Sequence, residues 1–133
     1  MSELGNPNLS KEEYKAGDYI FFEGDIDFHF YIIESGEVQI FTKAPDGKRI
    51  NLLSLKDGES FGEFAFLSRQ ARSASAQAIT ACNLIKVTEQ GFEQLLSELP
   101  VWASSMLKSF AHRLKQTTHL VQVEHQFTNY KKK

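Results

Sequence analysis

A glycine, a carboxylate and an arginine lie within one short, largely apolar segment, which runs from Phe61 to Ala74. Gly62 has no Cβ, so a ligand can approach its backbone closely. The residues after it predict one helical turn, whose first N–H groups lack intrahelical partners and favour an anion. Arg72 carries a planar, permanently charged group that suits two phosphate oxygens, whereas Glu63 only accepts hydrogen bonds, which suits a sugar hydroxyl. The segment therefore predicts a site for a phosphorylated ribose.

The same segment resembles the phosphate-binding cassette of the cyclic nucleotide-binding domain family, whose pattern is Phe-Gly-Glu, a short helix, and then Arg-Ser/Thr-Ala. The resemblance implies that Glu63 holds the ribose 2′-hydroxyl and that Arg72 neutralises the cyclic phosphate. It also implies backbone contacts from the start of the helix and from the residue after the arginine. The implied ligand-binding residues of this segment are Gly62, Glu63, Phe64, Ala65, Arg72, Ser73 and Ala74. One departure is Ala71, which stands where the family often has proline.

The elements that must position this segment are mainly strands. Short β-rich runs alternate with turn residues from Gly17 to Val87, and Asp46-Gly47 favours a two-residue hairpin between two of these runs. This spacing predicts a mainly β protein with C-terminal helices. The expected architecture is a β jelly-roll, or double-stranded β-helix, of about eight strands. We expect the barrel to occupy residues 17–88.

The last third of the chain predicts two helices, over about 89–98 and 101–128, because helix formers dominate it and Pro100 fits the start of the second helix. One stripe of the second helix changes from apolar to polar along its length. The stripe consists of Leu107, Phe110, Leu114, Thr117, Val121, Glu124 and Thr128. A stripe of this length indicates a homodimer paired through the C-terminal helix, and a marginally stable, exposed helix end is the alternative.

This long helix also resembles the one found in the family's catabolite-activator-like bacterial transcription factors, over residues 111–121. In those proteins a Thr-Ser pair contacts the adenine of cyclic AMP, and the helices pair in a dimer. The resemblance implies that Thr117 and Thr118 read the base, one of them from the partner subunit, and that the ligand is cyclic AMP. A hydroxyl both donates and accepts hydrogen bonds, so the pair does not exclude cyclic GMP.

Composition predicts a single cytoplasmic domain. A chain of 133 residues fits one domain, and its formal net charge of −2 provides no general attraction to nucleic acid or membrane. No apolar run approaches the roughly 20 residues that a bilayer span needs, and the first ten residues lack a signal pattern. The single cysteine, Cys82, excludes an intrachain disulfide and is expected in the core rather than as a nucleophile.

The histidines do not predict a metal site. His112 and His119 are separated by about 10.5 Å along one helix, too far to share a tetrahedral zinc ion, and the β region offers only His29. His125 lies beyond both in the same helical region. Hydrolysis of a phosphodiester would ordinarily need metal ligands to activate water. We therefore expect no metal, no cofactor other than the nucleotide ligand, and no catalytic residue.

Together these features predict a sensor that binds a cyclic nucleotide without catalysis and acts in signal transduction through a dimer or an unidentified effector protein. Only Gln126 to Lys133 follow the long helix, so we expect no direct DNA binding, and no membrane partner is expected. Two alternatives remain open. One is a protein-interaction scaffold that has lost its ligand, in which Arg72 simply pairs with Glu63. The weaker one is a small barrel enzyme that acts on a sugar phosphate.

Overall fold

Two antiparallel sheets dominate the structure, a computed structural model that describes residues 9–113 and 116. The strands within these residues are β1 (Leu9–Tyr14), β2 (Tyr19–Phe21), β3 (Phe30–Ser35), β4 (Val38–Lys43), β5 (Arg49–Leu55), β6 (Ser60–Phe61), β7 (Ser75–Ala78) and β8 (Cys82–Val87). One sheet has the order β1-β8-β3-β6 and the other the order β2-β7-β4-β5. Eight strands in two four-stranded sheets confirm the predicted mainly β fold with C-terminal helices.

The helices are α1 (Glu63–Ser68) and α2 (Glu89–Ser97), and residues 101–113 and 116 are also helical. The chain divides into two compact units after Glu93, and the first contains all the described strands and α1. In the second unit, several apolar side chains of the helical residues are exposed to solvent, including Val101, Trp102 and Phe110. No described helix is both long enough and apolar enough to cross a membrane.

The core of the first unit forms where the inward faces of the strands meet. Its buried members are Phe21, Tyr31, Ile33, Val38, Leu55, Phe61, Ala76, Ala78, Cys82 and Leu84. Alternation explains this arrangement, because successive side chains of a strand point to opposite faces and only one face packs inward. In β8, for example, Cys82 and Leu84 are buried while Asn83 between them is not. The burial of Cys82 confirms its predicted place in the core.

Two strands lie where the sequence analysis placed none. β1 precedes residue 17, the expected start of the barrel, and pairs with β8 alone at the edge of its sheet. Its residues are mostly polar and exposed or half-buried, so an apolar alternation is weak there. β6 is only two residues long and pairs with β3 immediately before Gly62. Short and edge strands carry little periodic signal, since few of their side chains face the core.

Backbone hydrogen bonds hold the β2–β3 loop against the segment that follows α1. The Gly24 N–H donates to the Arg72 carbonyl at 2.8 Å, and the Arg72 N–H donates to the Asp25 carbonyl at 2.9 Å. The Glu23 N–H donates to the buried Ser75 hydroxyl at 2.7 Å. These bonds hold the backbone of Arg72 in place independently of the contacts of its side chain.

Candidate functional site

A cavity of about 260 Å³ lies beside the first turn of α1, within the first unit of the chain. Its apolar walls come from β2, β4, β5, β6 and α1, and its polar groups come mainly from α1 and the segment before β7. The lining residues are Phe21, Ile40, Leu53, Leu55, Ser60, Phe61, Gly62, Glu63, Phe64, Ala65, Arg72, Ser73 and Ala74. All seven site residues predicted between positions 62 and 74 therefore border one cavity.

Gly62 joins β6 to α1 in the left-handed conformation, with φ of 88°. A Cβ at this position would lie 3.0 Å from Nη1 of Arg72 and 3.4 Å from the carbonyl oxygen of His29. A side chain would thus be strained by the backbone conformation and crowded by its neighbours. Glycine is required here because the backbone passes directly against the guanidinium group.

The Arg72 side chain is only 2% exposed, which is unusual for a charged group. Its Nη1 donates to the Gly62 carbonyl at 3.0 Å, and its Nη2 donates to the His29 carbonyl at 2.7 Å and to the Asp27 carboxylate. The guanidinium carbon also lies 4.0 Å from the centroid of the Phe21 ring. These contacts hold the charge in place at the cavity wall.

The carboxylate partner of Arg72 is Asp27, not Glu63. This arrangement differs from the pairing assumed in the scaffold alternative, in which the two cassette residues neutralise each other. Sequence reasoning missed both Asp27 and His29, which lie 45 and 43 positions before Arg72 in the irregular β2–β3 loop. The local signal was limited to a turn-rich loop with two aspartates, because an irregular segment has no periodicity that predicts where its side chains point.

Two buried polar atoms at this site have no hydrogen-bond partner among the described residues. They are Oε2 of Glu63, which can only accept when ionised, and Nε of Arg72, which can only donate. Burial raises the pKa of the Glu63 carboxyl above its usual range, and a hydrogen bond from its own backbone N–H opposes this shift. Unpaired buried polar groups are costly, so the site is suited to a ligand that offers both a donor and an anionic acceptor.

The far end of α1 is attached to the first part of α2 by side-chain contacts. Phe66 of α1 packs edge-to-face against Phe30 of β3 and Phe92 of α2, with ring centroids 5.0 and 5.3 Å apart. Arg69 ends the helix with φ of 58° and pairs its guanidinium with the Glu89 carboxylate. A displacement of α1 would therefore disturb its contacts with the first residues of α2.

The remaining site predictions fare differently. Thr117 and Thr118 lie outside the described residues, so their role stays a prediction. Phenylalanines were expected in the core and the pocket wall, and Phe21 and Phe61 do line the cavity. Sequence reasoning missed the other wall residues contributed by strands, whose signal was the inward face of the predicted strands; they are Ile40, Leu53, Leu55 and the polar Ser60. Over residues 9–113 and 116, no three His, Cys, Asp or Glu side chains are grouped closely enough to hold a metal ion.

A family model described as the cyclic nucleotide-binding domain matches residues 11–98. This range includes most of β1, all of β2 to β8, both α1 and α2, and every residue that lines the cavity. The chain belongs to the cyclic nucleotide-binding domain family. The predicted resemblance is thereby confirmed.

Curated relatives of this cyclic nucleotide-binding domain include a bacterial receptor and a mammalian channel. The cyclic AMP receptor protein of Thermus thermophilus is 33% identical over 114 residues, covering 86% of this chain and 53% of the receptor. The mouse potassium/sodium hyperpolarization-activated cyclic nucleotide-gated channel 2 is 37% identical over 93 residues, covering 70% of this chain and 10% of the channel. The chain thus spans about half of the bacterial receptor and a tenth of the channel.

Solved structures show the same fold. The EAL enzyme Bd1971 in a half-site-occupied form superposes with a TM-score of 0.76 and 31% identity, covering 83% of this chain and 98% of that one. The same enzyme has been solved bound to cyclic AMP and bound to cyclic GMP, with TM-scores of 0.62 and 0.63. Each of those two structures covers 90% of this chain and about a third of the enzyme.

Proposed function

We propose that this domain is a sensor that binds cyclic AMP in the cavity beside α1. The observation that carries the proposal is the pair of buried unpaired atoms, one acceptor on Glu63 and one cationic donor on Arg72. The ribose 2′-hydroxyl donates to the Glu63 carboxylate, and the cyclic phosphate accepts from Arg72 and from backbone N–H groups of Phe64, Ala65 and Ser73. A cyclic nucleotide thus pairs both atoms at once.

The apolar part of the cavity suits the base. Ile40 of β4 and Leu53 of β5 are paired in register and line the same cavity as the polar groups. A purine packed on these side chains buries apolar surface, and its polar edge is left for Thr117 and Thr118 to read. The preference for cyclic AMP rests on this predicted threonine pair and on similarity to the Thermus receptor, while cyclic GMP is the close competitor, as the two bound forms of Bd1971 indicate for that enzyme.

Binding is proposed to act through the helices rather than through catalysis. A ligand changes a conformational equilibrium only when it binds one arrangement better than another. The contacts of Phe66 with Phe30 and Phe92 provide a route from α1 to α2 for such a preference. We expect hydrogen exchange in residues 105–130 to change on ligand addition, and the nucleotide to be recovered unhydrolysed after prolonged incubation.

A homodimer paired through the C-terminal helix completes the proposal. Leu107 and Phe110 belong to the predicted stripe, and they are 39% and 51% exposed in the single chain. Pairing would remove this apolar surface from water. Light scattering at micromolar concentration is expected to give the mass of two chains, and the mass of one chain with and without nucleotide would rule the dimer out. The effector protein that reads the change is not identified by these features.

Titration calorimetry with cyclic AMP and cyclic GMP tests the nucleotide proposal directly. The wild-type domain is expected to bind with micromolar or tighter affinity, and Arg72→Leu is expected to lose that binding. Circular dichroism of the variant controls for loss of the fold. If folded, ligand-free wild-type protein produces no heat with either nucleotide, the protein-interaction scaffold becomes the better explanation.

A further inference from the structure

The charge of Arg72 is already balanced within the described structure. A guanidinium has five N–H donors, and three of its hydrogen bonds go to the Asp27 carboxylate and to the carbonyls of His29 and Gly62. The Asp27 side chain is 31% exposed, whereas that of Arg72 is 2% exposed. Asp27 therefore acts as a fixed counter-ion at the rim of a buried cation.

The described residues supply no second cation that borders the cavity and would offset this balance. Among the described residues that border the cavity, Arg72 is the only basic one. His29 lies close by, but burial and the nearby charges of Lys86 and Arg72 lower the pKa of its imidazole, against the opposing effects of Asp27 and Glu12, which favours the neutral ring. Glu63 contributes a further negative charge when it is ionised.

This balance matters because phosphate ligands differ in charge. A cyclic phosphate is a diester with one negative charge, whereas an open monophosphate carries between one and two, since its second pKa is about 6. The repulsion between a ligand and a fixed carboxylate grows in proportion to the ligand charge. Asp27 therefore penalises a dianion about twice as strongly as a monoanion.

We propose that Asp27 is a specificity-determining residue that makes the cavity selective for a phosphodiester monoanion over a phosphomonoester dianion. The inference rests on the proposed function, because it concerns which nucleotide that same site accepts. Asp27 stabilises the ligand-free domain by neutralising a buried arginine, and it reduces the affinity for 5′-AMP more than the affinity for cyclic AMP.

The test compares cyclic AMP with 5′-AMP in the wild type and in Asp27→Asn, by direct and competition calorimetry. Asparagine keeps an oxygen that can accept from Arg72 and removes only the charge. We expect cyclic AMP to bind about threefold more tightly and 5′-AMP about tenfold more tightly, which is the size typical of a partly exposed charge. The affinity ratio of the two ligands should therefore fall about threefold.

Asp46→Asn is the matched control. It removes the same charge from the exposed β4–β5 turn, where the Asp46 carboxylate accepts from the Lys48 N–H, far along the chain from Arg72. This variant should leave the ratio of affinities unchanged. Asp27→Glu keeps the charge beside Arg72 and should preserve most of the discrimination.

A second measurement needs no variant, in case Asp27→Asn fails to fold. At pH 5 most 5′-AMP is a monoanion, whereas at pH 8 it is a dianion, and cyclic AMP keeps one charge at both values. At pH 5 the two ligands carry the same charge, so protonation of Glu63 or His29 changes both affinities alike. At pH 8 the ratio reports the negative charge that the site, with Asp27 beside Arg72, presents to a dianion. The preference for cyclic AMP should be several-fold smaller at pH 5 than at pH 8.

Two results would overturn the inference while leaving the proposed function intact. One is an Asp27→Asn variant that weakens both nucleotides equally, which would make Asp27 a residue that only orients Arg72. The other is a wild-type affinity ratio that is the same at pH 5 and pH 8. A wild type that binds neither cyclic nucleotide is a different result, since it removes the proposed function and this inference together.

Discussion

Arg69 and Arg72 lie three positions apart in the same segment and make the same kinds of contact in different surroundings. Each pairs with a carboxylate, Glu89 for Arg69 and Asp27 for Arg72. Each also places its guanidinium over a phenylalanine ring, at 4.6 and 4.0 Å from the centroid. The side chain of Arg69 is 52% exposed and that of Arg72 is 2% exposed.

The difference in burial decides what each contact is worth. An exposed ion pair is screened by water and salt and typically contributes below about 1 kcal/mol. The free energy of a buried charge depends strongly on its partners, because removing one partner leaves an uncompensated charge in the interior. The same two residue types therefore provide a surface attachment at one end of α1 and a ligand-ready cation near the other end.

The largest expected effect separates the two arginines by their contribution to binding. Arg72→Leu should weaken cyclic AMP binding by about thirty- to several-thousand-fold, because charge-assisted hydrogen bonds to the phosphate are lost. Arg69→Leu should change the affinity by less than about twofold. Calorimetry on both variants provides the comparison, and equal losses would show that burial is not what distinguishes them.

Glu63→Gln tests the contribution of the buried carboxylate that accepts hydrogen bonds in the cavity, as a counterpart to the buried cation of Arg72. An amide oxygen is a weaker acceptor than a carboxylate, so we expect cyclic AMP to bind about tenfold more weakly. The same variant should make the ligand-free domain more stable at pH 7, by about 1 kcal/mol, because it removes a buried charge. Urea denaturation without ligand measures the second effect, and a less stable variant would contradict it.

The pH dependence of that stability difference follows from the raised pKa of Glu63. A pKa raised by folding means that the folded domain favours the protonated carboxyl. Its contribution to stability is fully present below the unfolded pKa, about 4.3, and is lost as the pH rises through the folded pKa. The advantage of Glu63→Gln should therefore disappear near pH 4, whereas a constant advantage from pH 4 to 8 would assign it to packing.

Gly62→Ala tests whether the close approach of the backbone to Arg72 matters. Gly58 offers a matched control, because its φ of 86° is nearly the same and a Cβ there would meet nothing within 4 Å. Both substitutions should cost about 1 to 2 kcal/mol of stability through left-handed strain. Only Gly62→Ala should also reduce cyclic AMP affinity, by several-fold, since its Cβ displaces the guanidinium. Equal affinities in both variants would refute the crowding argument.

The smallest effect is expected at the exposed pair. Arg69→Leu and Glu89→Gln should each reduce the free energy of unfolding by less than about 1 kcal/mol, and 1 M salt should remove most of that difference. Denaturation with urea at low and high salt makes the measurement. A loss of several kcal/mol that persists in high salt would mean that the pair behaves like the buried one.

Local chemistry made the cassette predictable. Gly62, Glu63 and Arg72 were identified because their residue types and close spacing match the groups of a phosphorylated ribose. The hairpin and most strands were predicted from turn residues and from the alternation of apolar and polar side chains. β1 was not predicted from the sequence, because an edge strand with polar side chains has little apolar periodicity. Asp27 was not predicted as a partner of Arg72, because it lies 45 positions before Arg72 in an irregular loop, where spacing along the chain provides no information about contacts.

The sequence by itself determined the family, the mainly β fold and the cassette residues between positions 62 and 74 that border the cavity, since these depend on residue type and on short spacings along the chain. Only the tertiary structure decided that Arg72 is buried, that Asp27 rather than Glu63 neutralises it, and that Arg69 remains at the surface. The physical reason is that the energy of a charge depends on its distance from water and from other charges. Those distances exist only after distant segments have folded together.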